Sequence, residues 1–410
     1  MLAGGPSAAF ARDLRVISVD EAHALIAANA LPLGGENIAL DAALGRVLSQ
    51  PVIAALDSPR QAVSAMDGYA CRDADVAGVG ARLDMVGESF AGTGYGGRID
   101  AGQAVRIFTG APLPDGADRV IMQENIDRDG DVAVVARAYG PGWHVRAAAS
   151  DFAAGTLLLE HGTLLTPRAL VAAAAADVGE LIVAKRPRVA IIATGDELAA
   201  PGTARSQRFA IPESVSLGVA AMAQTWGGDV VSRTMAGDDF DNLVRVAGDA
   251  LTAADLIICT GGASVGDRDY AKAMFEPHGL ALIFSKVAMK PGKPVWLGRA
   301  GDTLLLGLPG NPTSAMVTAR LFLAPLLAAM QGRAMADALT WRTLPLAAAL
   351  PETGARETYV RATWGDAGLA PVSNQDSGSQ AALVAADWLI RCRSGQAAQP
   401  MGAMVQALAF

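Results

Sequence analysis

Apolar residues fall at helical spacing through residues 16–30, VISVDEAHALIAANA, and predict an amphipathic helix capped by Ser18 or Asp20. Residues 36–55 then alternate between short strand and helix signals. From residue 61 to 149 the texture changes. Short apolar runs (LDMVGESF, QAVRIFTG, DRVIMQENI, DVAVVARA) stand between Gly, Pro and Asp turns and predict a small all-β module. Residues 150–184 return to mixed character, with PRALVAAAAADVG reading as a helix that carries proline in its first turn.

Residues 186–330 follow a different rule. RVAIIATGDEL, DLIICTGGASVGD and DTLLLGLPGNPTSAMVTARLFL each pass from an apolar strand through a glycine-bearing loop into polar or helical sequence. WGGDVVSRTMAGDD adds a strand with an acidic exit, while ESVSLGVAAMAQTW and DFDNLVRVAGDALTAA supply helices. This alternation predicts a parallel sheet with helices on both faces, its loops gathered at the C-terminal edge where such folds bind ligands. The last eighty residues, with TLPLAAALPET, ETYVRATWGDAGLAPV and AADWLIRC, predict another small β domain. The expected division is therefore 1–60 plus 150–185 (mixed α+β), 61–149 (β-rich), 186–331 (α/β) and 332–410 (β).

A chain of 410 residues exceeds one core, so two to four domains are expected in any case. Its net charge of −8 argues against general nucleic-acid or anionic-membrane binding, because both need a basic face. Three distant cysteines (Cys71, Cys259, Cys392) give no disulfide framework, and four histidines show no zinc-binding spacing. The opening MLAGGPSAAFARDLR lacks the pattern of a secretory leader, and no stretch reaches a bilayer span, Leu321–Met330 being interrupted by Pro325. A soluble, cytoplasmic protein is expected.

One compositional feature singles out a place. Arginine outnumbers lysine 28 to 5, yet four of the five lysines lie between Lys272 and Lys293. Lys286, Lys290 and Lys293, in FSKVAMKPGKPVW, mark positions where a compact ammonium suits a gripped phosphate or oxyanion and a planar guanidinium does not.

Three strand-exit loops surround that turn. Gly261, Gly262, Ser264 and Gly266, in TGGASVGDRD, let backbone N–H groups approach an anion, and Asp267 and Asp269 fit there if a divalent cation bridges them to it. Pro309, Gly310, Asn311, Pro312 and Ser314, in GLPGNPTS, open a helix, with Asn311 placed to cap it. Glu197, in TGDEL, ends another strand, and Asp238 and Asp239 stand at a fourth exit. Upstream, Asp67 sits in a turn of SAMDGYA and Thr109 in FTGAPLPDG. Such an edge suits a phosphorylated ligand with a divalent cation, and chemistry at phosphate by positioning and electrostatics. Gly92-Thr93-Gly94-Tyr95-Gly96-Gly97 satisfies G-x-G-x-x-G, but no helix is predicted after it, so it is not a dinucleotide fingerprint.

Read in order, SAMDGYA, RIFTGAPLPDGADRVIMQE, TGDEL, TGGASVGDRDY, KPGKP and GLPGNPTSA resemble the molybdopterin molybdenumtransferase family, to which a part of vertebrate gephyrin is related. The resemblance covers nearly the whole chain. It implies an α/β plus β multidomain fold: a three-layer α/β pterin-binding domain, a β-rich lid, a mixed linking and dimerisation domain and a C-terminal β-barrel-like domain. It also implies a transferase that cleaves adenylylated molybdopterin with Mg2+, places molybdenum from molybdate on the two dithiolene sulfurs and releases AMP. The sulfurs belong to the substrate, which accounts for a metal-handling protein without a Cys/His cluster. By the same resemblance Asp67, Glu197, Asp238 and Asp269 are catalytic, with Glu197 and Asp269 at the Mg2+ site. Thr109, the Gly261–Gly266 and Pro309–Ser314 loops, Lys286, Lys290, Lys293 and Ser377 bind substrate, and Asp151 matches an acidic position. A homodimer with active sites built across subunits, and contact with the molybdopterin adenylyltransferase, are further implications. Two segments differ from the family pattern: VRAAASD stands where Gly-Glu-Asp is common, and IPESVS follows TGDEL in place of a Tyr-Asp-Ser/Thr-Asn type sequence. A non-catalytic pterin-binding scaffold and a nucleotide-pyrophosphate hydrolase are the alternative readings.

Overall fold

Capping chemistry starts the fold where the pattern placed it. The computed structural model describes residues 15–261 and 270–410. Its first helix, Val19–Asn29, is capped by Ser18, whose hydroxyl accepts from the Glu21 N–H while Glu21 accepts from the Ser18 N–H at 2.8 Å. The helix buries Val19, Ala22 and Ile26 against the core of the central sheet. Two antiparallel pairings, Gly35–Ala39 with Glu180–Ala184 and Val52–Ile53 with Leu157–Leu159, then join segments far apart in sequence. Between them the chain builds a six-stranded sheet from Gly68–Cys71 to Val132–Val135, closed over a small core that includes Tyr69, Leu83 and Ile121.

The central sheet has six strands in the order 229–236, 188–194, 256–260, 303–308, 296–300, 281–284. Residue alternation makes it the middle of three layers. Ile191, Ile258 and Leu306 face one core with the helix Val215–Thr225, whereas Ile192, Ile257 and Leu305 face another with the helix Phe240–Ala253. The expectation of a parallel sheet holds for four strands only. Trp296–Ala300 runs against both its neighbours, Thr303–Leu308 and Ala281–Phe284, so Ala281–Phe284 points the same way as the four but pairs with none of them. The physical reason is local: only Gly301 and Asp302 separate Ala300 from its partner Thr303, and two residues can reverse a chain but not cross it over. The reversal has a functional result. Trp296 pairs with Gly307, so the KPGKP turn that precedes Trp296 is carried to the same edge as the strand exits.

Pro325 does not interrupt the apolar run it sits in. Helix continues from Pro312 to Met330, 19 residues that are apolar and long enough to span a bilayer by length and composition, yet 89% of an 18-residue stretch of it is buried within the protein. The turn before the proline widens into a π-helical segment, Ala319–Leu323. Pro325 has no N–H for the Leu321 carbonyl, and the ring of His23 donates to that oxygen instead, at 2.8 Å. Burial holds the His23 pKa below its ordinary value, which favours the neutral ring that serves as this donor.

The C-terminal sheet orders its strands 289–290, 357–365, 388–392, 404–409, 342–345, with 368–371 pairing back onto 357–365. It curls: Leu346, just past one end of this order, bridges to Leu369 near the other.

Candidate functional site

Register places three of the predicted loops side by side. Ala193 pairs with Thr260, and Thr260 with Leu308, so TGDEL, Thr260-Gly261 and GLPGNP leave the sheet at one level. Gly261 has φ +92, and a Cβ there would stand 2.5 Å from the Thr194 carbonyl. A Cβ on Gly310 would come within 3.2 Å of the Gly261 Cα, so these two loops meet backbone to backbone. Between them and the segment 211–215 lies a cavity of about 650 Å³, lined also by Glu197, Pro294 and Gly378.

Asp196 and Glu197 divide the work of the TGDEL turn. Asp196 accepts from the Asp238 N–H at 2.9 Å, pinning the turn to the neighbouring strand exit. Glu197 folds back over Gly195 (φ +147), remains exposed and lines the cavity. Asp239 caps the helix Phe240–Ala253 through the Asn242 N–H. Of the two aspartates at that exit, Asp239 is therefore the helix cap.

Asn311 occupies the cap position of its helix but makes no side-chain cap, contrary to expectation. Its amide donates to the Ser377 hydroxyl at 3.2 Å instead, and the Ser377 carbonyl accepts from the Thr313 N–H. The C-terminal sheet thus brings Ser377 to the GLPGNP loop. Ser314 is buried, with its carbonyl taken by Thr318. Sequence reasoning missed Arg361, a fully buried guanidinium that donates to Thr313 and to the carbonyls of Asn374 and Asp376. The available signal was an arginine inside the otherwise apolar strand text YVRATW.

The lysines are not all at this cavity. Met289–Lys290 pairs with Glu357–Thr358, and Lys290 lines a second cavity of about 340 Å³ with Glu352, Arg356 and Cys392. Lys293 is exposed on the turn that delivers Pro294 to the main cavity, and the carbonyl of Lys286 accepts from the Ile17 N–H. Asp67 and Thr109, 42 residues apart, do converge: both the backbone N–H and the hydroxyl of Thr109 donate to Asp67 Oδ1 at 2.7 Å. Those bonds hold the Asp67 carboxyl below the usual carboxylate range. Neither residue lines the main cavity. Asp151 lies beside Arg146 and Ser58 at a separate hollow. Gly262, Ser264, Gly266 and Asp269 lie outside the described residues. Among the described residues no group of three or more His, Cys, Asp or Glu side chains could hold a metal.

Comparison with known proteins agrees across sequence and fold. The family described as MoeA N-terminal region (domain I and II) matches residues 17–177, and the probable molybdopterin binding domain matches residues 190–329. A Mycobacterium tuberculosis protein named molybdopterin molybdenumtransferase 2 is 38% identical over 306 residues, 72% of this chain and 75% of that one. A molybdopterin molybdenumtransferase of Nostoc sp. is 35% identical over 337 residues, 80% of this chain and 76% of its own. The crystal structure of a molybdopterin biosynthesis moeA protein from Pyrococcus horikoshii superposes with a TM-score of 0.84 at 23% identity, covering 97% of this chain and 100% of that one.

Proposed function

The chain belongs to the molybdopterin molybdenumtransferase family, a transferase of molybdenum cofactor biosynthesis, and from that premise we propose how its residues divide the reaction. The substrates are adenylylated molybdopterin and molybdate, and the products are the molybdenum-loaded pterin and AMP. The observation that carries this reading is the 650 Å³ cavity at three adjacent strand exits, where glycine-lined backbone and an exposed carboxylate face one space. Such a cavity holds a phosphorylated ligand by backbone donors and fixed charge.

A divalent cation fits the donors as a partner shared with substrate. Magnesium keeps several waters and takes one or two carboxylates plus substrate phosphate oxygens, so it needs no three-residue protein cluster. Glu197 and Asp269 would hold it, with Asp238 nearby, and when bound it neutralises charge on the cleaved phosphate. Glu197 contributes a hard oxygen donor, and the Gly261 and Pro309–Pro312 backbones position the phosphate. Lys286, Lys290 and Lys293 supply the ammonium charges that attract pterin phosphate and molybdate, and Ser377 joins them through the GLPGNP loop.

Asp67 acts at the molybdenum end as an ionised carboxylate fixed by Thr109. Because neither residue lines the cavity around Glu197, the active site is completed by a second copy of the chain, in a cytoplasmic homodimer that receives its pterin from the adenylyltransferase. The lid (61–149), the linking unit (1–60 plus 150–185), the pterin domain (186–331) and the C-terminal domain (332–410) then have separate tasks. The test is AMP release by the purified protein with adenylylated molybdopterin, magnesium and molybdate. Molybdate-dependent release is expected, and Asp67→Asn lowers it at least tenfold with the fold intact. Equal turnover of simple adenine dinucleotides without molybdate would instead identify a pyrophosphate hydrolase.

A further inference from the structure

The segment in which this chain differs from its family, IPESVS, forms a wall of the main cavity. In that wall stands Glu213, which is only 5% exposed and yet borders the cavity. Its position is locked from behind. The Ser216 N–H donates to Oε1 at 2.8 Å and the Ser216 hydroxyl to Oε2 at 2.6 Å. Arg233 Nε donates to the same hydroxyl oxygen at 3.1 Å, so the serine proton is left for Glu213. A carboxylate has about four acceptor sites, and Ser216 takes one on each oxygen. The remaining pair lie on a group with almost no access to water. A buried acceptor with open lone pairs needs donors; among the described residues its hydrogen bonds come from Ser216, and the cavity it borders can bring more.

We propose that Glu213 is a ligand-binding residue that reads the 2-amino-4-oxo pyrimidine edge of the pterin. This assignment rests on the pterin-nucleotide reading of the cavity. That edge presents a ring N–H and an amino N–H side by side, the donor pair that matches the two oxygens of one carboxylate. Adenine presents a donor next to a ring-nitrogen acceptor, which would oppose one of the oxygens. Glu213 therefore selects the pterin half of the substrate and not the adenylate half. Ile211, Pro212, Val215 and Pro294, which border the same space, offer the apolar surface that a flat heterocycle covers.

The experiment compares pterin-6-carboxylate with lumazine-6-carboxylate, which carries oxygen in place of the 2-amino group, by ligand fluorescence. GMP and AMP are measured alongside by calorimetry. The unaltered protein should bind the pterin about 10- to 100-fold more tightly than the lumazine, the range for hydrogen bonds to a charged group. Glu213→Gln, similar in size but with one acceptor exchanged for a donor, should erase that preference while binding of the lumazine changes little. A residue that merely holds the helix start would weaken both ligands equally. Equal binding of the two pteridines by the unaltered protein overturns the proposal without recourse to any variant, as does a preference that survives in Glu213→Gln. GMP carries the same donor pair, so it should bind more tightly than AMP but less tightly than the pterin. GMP bound as tightly as the pterin overturns the pterin assignment in favour of guanine nucleotides, and GMP bound no better than AMP counts against the edge reading. AMP release is scored separately, so a protein that prefers the pterin but releases no AMP counts against the transferase mechanism alone.

Discussion

Asp67 and Thr109 show how much one residue's chemistry depends on a distant one. Each sits in an ordinary turn sequence, and only the six-stranded sheet brings two Thr109 donors onto one Asp67 oxygen. The carboxyl is held low, first by the backbone bond and then by the hydroxyl. A depressed carboxyl remains ionised as pH falls until its own lowered pKa is reached. Thr109→Val removes the hydroxyl and keeps the backbone bond, so the Asp67 titration should move to higher pH and the acid limb of activity with it. Carbon-13 NMR of the Asp67 carboxyl checks this, and an unmoved titration would assign the whole depression to the backbone. Arg361 carries the same lesson at a buried position: its partners lie 13 to 48 residues away, so no local pattern could identify what it supports.

Among elements, the helical run 312–330 departs most clearly from what its sequence suggests. Proline inside an apolar helix normally removes a hydrogen bond and bends or ends it. Here a π-helical turn and a histidine from another helix absorb the defect. His23→Phe keeps an aromatic ring against Phe322 but leaves the Leu321 carbonyl without its donor. The expected loss is about 1–3 kcal/mol, the penalty for a buried unpaired carbonyl. Urea unfolding should show a lower midpoint with an unchanged slope. The helix starts, by contrast, were legible: Ser18 caps and Pro167 opens a first turn where local chemistry said they would, and Thr166 supplies the second cap. Asn311 did not cap: its side-chain oxygen accepts from no helix N–H, and its amide N–H donates to Ser377.

At the scale of the whole molecule, the first helix fastens bodies that are remote in sequence. His23 reaches the central helical run, and Asp20 reaches Arg391 of the C-terminal sheet, which also binds Glu357. Arg391 holds the Asp20 carboxyl below its usual range, and burial holds His23 below its own. Both depressed groups stabilise the fold above their unfolded pKa values and lose that contribution as pH falls. The His23 part should fade from about pH 6.5 downward and the Asp20 part from about pH 4. Thermal melts across this range should show both losses, with His23→Gln flattening the upper one and Asp20→Asn the lower. A profile identical in all three proteins would remove the first helix from the account of acid stability.

Sequence alone determined what depends on neighbours within a few residues. Strand and helix periods, capping boxes, glycines needed at positive φ and the family-matching motifs all belong to this class, because backbone sterics and local hydrogen bonds act at short range. It also concentrated the lysines around one turn. Tertiary structure decided which of these features share a space. The Gly301-Asp302 reversal carried KPGKP to the loop edge, whereas a two-residue pairing with the C-terminal sheet sent Lys290 to another cavity. Glu213 became a candidate reader of ligand only when burial, Ser216 and the cavity were seen together. Pairing register and burial are long-range properties of the packed chain, and no local spacing encodes them.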